Sequence, residues 1–168
     1  NAPKANYQLI TTDENETQFD MLKKLEIGLD FYEILRKYAA ELEIGIFATG
    51  FDIQSVKNLV SSGQKIFKIP SGEITNLPLL RFIGSFGYEI YLSTGMSSLL
   101  EISEAISILE KSGTDKSKIT VLHCTTDYPA NLNDVNLKAM LSIKNQLDVK
   151  VGYSDHTPGI EIALAAVS

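Results

Sequence analysis

Short apolar, β-rich runs recur along the chain, each followed by a stretch with helical spacing. The runs are Ile44-Gly45-Ile46-Phe47-Ala48-Thr49, Ile66-Phe67-Lys68-Ile69, Tyr88-Glu89-Ile90-Tyr91-Leu92-Ser93, Ile119-Thr120-Val121-Leu122-His123 and Val149-Lys150-Val151-Gly152-Tyr153. Their centres, near residues 46, 66, 90, 121 and 151, predict five strands. Between them lie helical patterns from Ile53 to Ser61, from Thr75 or Asn76 to Gly84 or Gly87, through Leu99, Ile102, Ala105, Ile106 and Leu109 to Ser112-Gly113, and over 134 to 146. Before the first run, a helix is predicted from Thr17 to Leu25. A second one, capped by Asp30, carries a single apolar stripe of Phe31, Ile34, Leu35, Tyr38, Ala39 and Leu42. Residues 1–16 are polar and read as a long loop.

Strands separated by one helix each predict repeated βα units and a parallel sheet with right-handed crossovers. Both a doubly wound sheet and a β/α barrel satisfy that period. No run is followed by a Gly-x-Gly-x-x-Gly loop, and polar residues collect after every strand instead of at one crevice. That distribution favours a barrel, which gathers its ligand from many strand ends at one mouth. A full barrel takes eight units and about 250 residues, so the expectation is an α/β fold forming part of a (β/α)8 barrel. The first residue is not Met, and the last ones, Glu161 to Val167, read as an unfinished helix. These features predict a piece of a longer protein.

Composition narrows the function classes. With 44% apolar and 21% charged residues the 168-residue chain is ordinary globular material. A net charge of −6 argues against a nucleic-acid-binding surface, and no apolar run is long enough to span a membrane. One cysteine, Cys124, cannot form an internal disulfide and fits a reducing, cytoplasmic setting.

The candidate chemistry sits at the strand ends: Thr49; Lys68, Ser71 and Glu73; Ser93 and Thr94; His123, Thr125, Thr126 and Tyr128; Ser154, Asp155 and His156. A lysine among apolar strand residues calls for an anion. Gly72 permits close backbone approach, and hydroxyls with a lysine make a phosphate and carboxylate site. Ser93-Thr94-Gly95-Met96-Ser97 leads into a helix whose free N–H groups could face the same anion. A plain capping turn, with Lys68 reaching solvent, explains the same residues without a ligand. Ser154-Asp155-His156 invites a catalytic-triad reading, rejected because neighbours at a strand end point in different directions and no nucleophile elbow precedes them. His156 beside Asp155 reads better as a divalent-metal ligand whose ring is held by hydrogen bonds from behind. His123 reads as a satisfied core residue.

The ordered motifs Asn1-Ala2-Pro3-Lys4-Ala5-Asn6-Tyr7-Gln8, Met21 to Glu26, Lys68-Ile69-Pro70-Ser71-Gly72-Glu73, Leu92-Ser93-Thr94-Gly95-Met96, Leu122 to Pro129 and Val151 to Thr157 resemble the sialic acid synthase family, the nonulosonate synthases. The resemblance implies a β/α barrel of which this chain forms strands three to seven, as part of one catalytic domain spanning 1–168. It also implies a C-terminal antifreeze-like domain outside these residues. It implies condensation of phosphoenolpyruvate with an acetamido sugar, a divalent cation (Mn²⁺ or Mg²⁺), and a homodimeric full-length parent. By motif, Thr49, Lys68, Ser71 and Ser93 would hold phosphoenolpyruvate, with Thr126 and Ser154 nearby. Glu73 with Lys68 would be catalytic, Glu73 as acid/base, Tyr128 would line the sugar pocket and His156 would bind the metal. Gly50 and Thr126 depart from the family pattern, which usually shows proline and, in some members, asparagine there. The implied sugar is N-acetylmannosamine, giving sialic acid, or 2,4-diacetamido-2,4,6-trideoxymannose, giving legionaminic acid. A Schiff-base lyase using Lys68 and a barrel that merely binds a phosphorylated metabolite are the rival readings. The 168 residues alone are expected to be inactive, with two exposed sheet edges.

Overall fold

The computed structural model describes residues 3–4, 8–9, 12–13 and 15–168. The chain forms two compact units, Asn1–Ile46 and Phe47–Ser168. In the first, α1 (Gln18–Leu25) opens with a reciprocal capping box in which Thr17 and Asp20 bond each other's backbone amides. Half of the predicted 1–16 loop lies outside the described residues. Within it the Lys4 ammonium, almost fully covered, donates to the Thr12 hydroxyl at 3.0 Å and the Asp13 carbonyl at 2.6 Å, and pairs with Glu16. Helix α2 (Leu29–Glu41) is capped two residues earlier than predicted from Asp30. Gly28 is the N-cap, and Asp30 lies in the first turn, where a negative charge meets the positive end of the helix dipole. Its apolar stripe is not a packed face here: Phe31, Ile34, Tyr38 and Leu42 are exposed, and burial falls on Tyr32 and Ala39.

The second unit carries the sheet: α3 (Ile53–Ser61), β1 (Ile66–Ile69), α4 (Leu77–Gly84), β2 (Glu89–Ser93), α5 (Leu99–Ser112), β3 (Ile119–His123), α6 (Lys138–Leu147), β4 (Lys150–Tyr153) and α7 (Glu161–Val167). All three pairings are parallel and the spatial order follows the chain, β1-β2-β3-β4. A doubly wound sheet reverses its order at a switch point. This one does not, and right-handed crossovers in unbroken order place every connecting helix on one side. Sequential βα units of this kind are the arrangement of part of a (β/α)8 barrel.

Register assigns the two faces. Phe67, Ile69, Ile90, Leu92, Ile119 and Val121 share the buried face, each at most 1% exposed. The other face carries Lys68, Tyr91, Ser93, Thr120, Leu122 and Gly152. Period two along each strand thus sends the apolar set to the helices and the polar set to the inner side. Helices α4 and α5 pack tightly, since a methyl on Gly84 would lie 2.8 Å from Ser112 Cβ, and the Thr114 hydroxyl bonds the Gly84 carbonyl.

Among the described residues four strands form, not five. The run Ile44 to Thr49 has no backbone ladder. Instead the buried Gln64 side chain accepts from the Ala48 amide and donates to the Ala48 carbonyl, both at 2.8 Å, and also donates to Ile66 O. The side-chain amide occupies the groups a neighbouring strand would use. Helix α6 begins at Lys138, not 134, because Leu132–Asp134 is a separate 3₁₀ turn and Asn136, at φ +42°, breaks the helical path.

Candidate active site

Parallel strands put all four carboxyl ends at one edge of the sheet, so the loops after β1, β2, β3 and β4 meet there. Two hydrogen-bonded seams join them. Thr94 donates from its amide and its hydroxyl to the Leu122 carbonyl, at 3.0 and 3.1 Å, and the Gly95 amide donates to Cys124 Sγ at 3.2 Å. The Ser154 amide donates to the His123 carbonyl, and the Ala130 amide to the His156 carbonyl.

One close meeting point is Gly95, at φ +49°. A methyl group there would stand 2.6 Å from Thr126 Cγ2 and 2.7 Å from the Ser71 hydroxyl. Loops after three strands therefore converge within van der Waals contact only because position 95 has no side chain. Gly95→Ala is expected to destabilise the protein by about 1–3 kcal/mol through the left-handed backbone and the overlap together, read as a lowered urea midpoint. An unchanged midpoint would show that the three loops are not packed this closely.

Lys68 and Ser93 lie on the same inner face, Lys68 opposite Tyr91 and Ser93 two residues beyond it. Lys68 is half-buried, and among the described residues it has no ion pair or hydrogen bond. Ser93 is 3% exposed, and its hydroxyl has no partner. A buried hydroxyl without a partner is costly, and here it shares a sheet face with an unpaired lysine. Glu73 ends a 3₁₀ turn, Ser71–Glu73, that follows Pro70, and its Oε2 accepts from the Asn76 side-chain amide at 2.6 Å.

A second cluster forms after β3 and β4. His156 Nδ1 donates to the Thr125 carbonyl at 2.5 Å, which leaves the Nε2 lone pair facing the Ser154 hydroxyl at 3.4 Å. Tyr128, whose bond to Pro129 is cis, lays its ring 4.1 Å from the His156 ring. Ser154 and His156 do approach each other, contrary to the expected divergence, because residues two apart in extended chain point the same way. A triad is still absent. Asp155 accepts from the Thr157 amide and hydroxyl, which hold its carboxyl below the usual carboxylate range, so it does not orient the imidazole. The orienting group is the Thr125 carbonyl.

Two further expectations change. Thr49 is half-buried in the extended segment before α3 and does not end a strand. The N-terminus of α5 is not open to an anion either. Ser98 and Glu101 form a capping box, with the Ser98 amide and hydroxyl donating to Glu101 Oε2 at 2.7 and 2.8 Å and holding that carboxyl below its ordinary range. The helix supplies its own anion.

His123 lies on the helix-facing side, donating Nε2–H to the Val135 carbonyl at 2.8 Å. The neighbouring Tyr153 hydroxyl is buried without a partner, and burial, then Asp155, pushes its pKa up. Asn76, Gly95 and the Thr125 carbonyl are site parts that the strand-end inventory did not single out. Only the first two carry a sequence signal, Asn ahead of Leu-Pro and Gly after Ser-Thr.

For a metal ion, His156 Nε2 is a suitable single ligand, with its tautomer fixed by the Thr125 carbonyl. Among the described residues no three His, Cys, Asp or Glu groups stand close enough to form a site.

A parallel βα array in chain order, with polar side chains gathered at its strand ends, is the arrangement of part of a β/α barrel. Comparison with known proteins is specific: the NeuB family matches residues 1–168, and the chain belongs to that family. It is 53% identical to N,N'-diacetyllegionaminic acid synthase of Campylobacter jejuni over 167 residues, 99% of this chain and 50% of that protein. It is 43% identical to the enzyme of the same name from Legionella pneumophila, covering 98% and 47%. The crystal structure of N-acetylneuraminic acid synthetase from Leptospira borgpetersenii superposes with a TM-score of 0.85 at 37% identity, covering 94% of this chain and 54% of that one. The chain therefore spans about half the length of the relatives it matches. Among the described residues no helix is long and apolar enough to cross a membrane.

Proposed function

We propose that the protein containing this chain condenses phosphoenolpyruvate with an acetamido sugar to give a nonulosonic acid and phosphate. The observation that carries the reading is the buried, unpartnered Ser93 hydroxyl on the same sheet face as the unpaired Lys68. Lys68, Ser71 and Ser93 bind the phosphate and carboxylate oxygens of phosphoenolpyruvate, with Thr126 closing the wall beside Gly95. Thr49 and Ser154 contribute hydroxyls at the rim, and Tyr128 packs against the sugar. Glu73 serves as acid/base: the methylene of phosphoenolpyruvate attacks the sugar aldehyde, whose oxygen takes up a proton, water adds at C2 and gives up its protons, and phosphate leaves as the keto group forms. A divalent cation, Mn²⁺ or Mg²⁺, held in part by His156 would supply Lewis-acid polarisation of the aldehyde.

The names of the relatives at 53% and 43% identity favour 2,4-diacetamido-2,4,6-trideoxymannose over N-acetylmannosamine as the sugar. The test is phosphate release by the complete gene product with phosphoenolpyruvate, Mn²⁺ and each sugar in turn. Release is expected with both, with kcat/KM at least tenfold higher for the diacetamido sugar. No release with either sugar refutes the condensation, and a preference for N-acetylmannosamine refutes the sugar assignment alone.

A further inference from the structure

We propose that Asn76 is a positioning residue for the Glu73 carboxylate, resting on the reading of Glu73 as the acid/base. Asn76 is the N-cap of α4, and its Oδ1 accepts from the Leu79 amide at 3.2 Å. That bond settles which way the side-chain amide is turned, so its nitrogen points away from the helix and donates to Glu73 Oε2 at 2.6 Å. The backbone repeats the link, since the Asn76 amide donates to the Glu73 carbonyl and the Leu80 amide to the Asn76 carbonyl, both at 2.9 Å.

Glu73 itself stands on a short 3₁₀ turn, with one rotatable side chain and no other side-chain partner among the described residues. Helix α4 is the opposite kind of element: Leu79, Leu80 and Ile83 are at most 1% exposed. Asn76 transfers that rigidity to the carboxylate. It holds Oε2 and leaves Oε1 for the reacting atoms, and a catalytic group displaced by about 1 Å can lose a hundredfold in rate.

Residue type makes the inference specific. Ser, Asp and Asn cap helices about equally well, and Thr somewhat less so. Only Asn combines the cap acceptor with an N–H donor long enough to reach Glu73. A residue needed for the helix alone would tolerate Asp or Ser.

The test uses Asn76→Asp and Asn76→Ser in the complete gene product, both of which keep a cap acceptor. The expected result is an unchanged melting temperature, KM for phosphoenolpyruvate within about twofold, and kcat lowered roughly 10- to 100-fold. Added to Glu73→Gln, the Asn76→Asp change is expected to cost nothing further, because the group it positions no longer acts. Unchanged kcat in both single variants, with Glu73→Gln impaired, overturns the role of Asn76 alone. So does a fall in kcat that merely tracks a loss of folded protein. Full turnover by Glu73→Gln overturns the acid/base reading and this inference with it.

Discussion

Glu73→Gln is expected to lower kcat about 10²- to 10⁴-fold, the span that a positioned general acid/base contributes, while leaving the fold untouched. Glutamine has the shape of glutamate, and its side-chain oxygen can accept the same bond from the Asn76 amide that Oε2 accepts now. The 3₁₀ turn depends on backbone bonds, Glu73 N to the Pro70 carbonyl and Ile74 N to the Ser71 carbonyl, which the substitution does not reach. Binding of phosphoenolpyruvate should change little, because the proposed anion contacts belong to Lys68, Ser71 and Ser93. The measurement is steady-state phosphate release across a series of phosphoenolpyruvate concentrations, with thermal unfolding as the control. A variant within threefold of the parent in kcat would remove Glu73 from the chemistry.

The convergence of Ser71 with Thr126 shows how far such a site could be read from residues alone. Parallel βα units in chain order put strand ends together by topology, so the polar residues after each strand were legible as sharing one edge of the sheet. What it lacked was distance. The approach of the loops after β1 and β3 depends on the missing side chain at Gly95 and its left-handed backbone, a three-dimensional fit with no periodicity to reveal it. The helix patterns ending at Ser61 and Ser112 were legible because caps and apolar spacing are local.

Failures arose where a side chain stood in for backbone. Gln64 takes the Ala48 hydrogen bonds across sixteen residues, and an apolar run that reads as a strand becomes an extended segment without a ladder. Glu101 closes the α5 N-terminus that the preceding Ser-Thr-Gly loop seemed to offer to a ligand, although Ser-x-x-Glu was a visible capping signature. The stripe on α2 follows helical spacing faithfully, yet Phe31, Ile34, Tyr38 and Leu42 on it are exposed and only Ala39 is buried. Periodicity reports which residues share a face, not what covers it.

Lys68→Met is expected to reduce kcat/KM for phosphoenolpyruvate about 100- to 1,000-fold, the loss that follows when one member of a partly buried charge pair is removed. The same change should not destabilise the free protein. Lys68 sits between the buried Phe67 and Ile69 on β1 and has no ion pair or hydrogen bond among the described residues, so its charge lacks a counter-ion until an anion arrives. Methionine keeps most of the chain volume and removes the cost of holding that charge half-buried. The melting temperature should therefore stay level or rise, while the increase that phosphoenolpyruvate gives the parent protein is lost in the variant. The opposite pattern, a destabilised variant that still gains stability from phosphoenolpyruvate, would mean that Lys68 is a structural residue. The rival lyase chemistry makes a separate demand on the same side chain: borohydride with pyruvate should then fix an adduct on Lys68. A lysine that binds phosphoenolpyruvate as a point charge keeps its ammonium protonated and forms none.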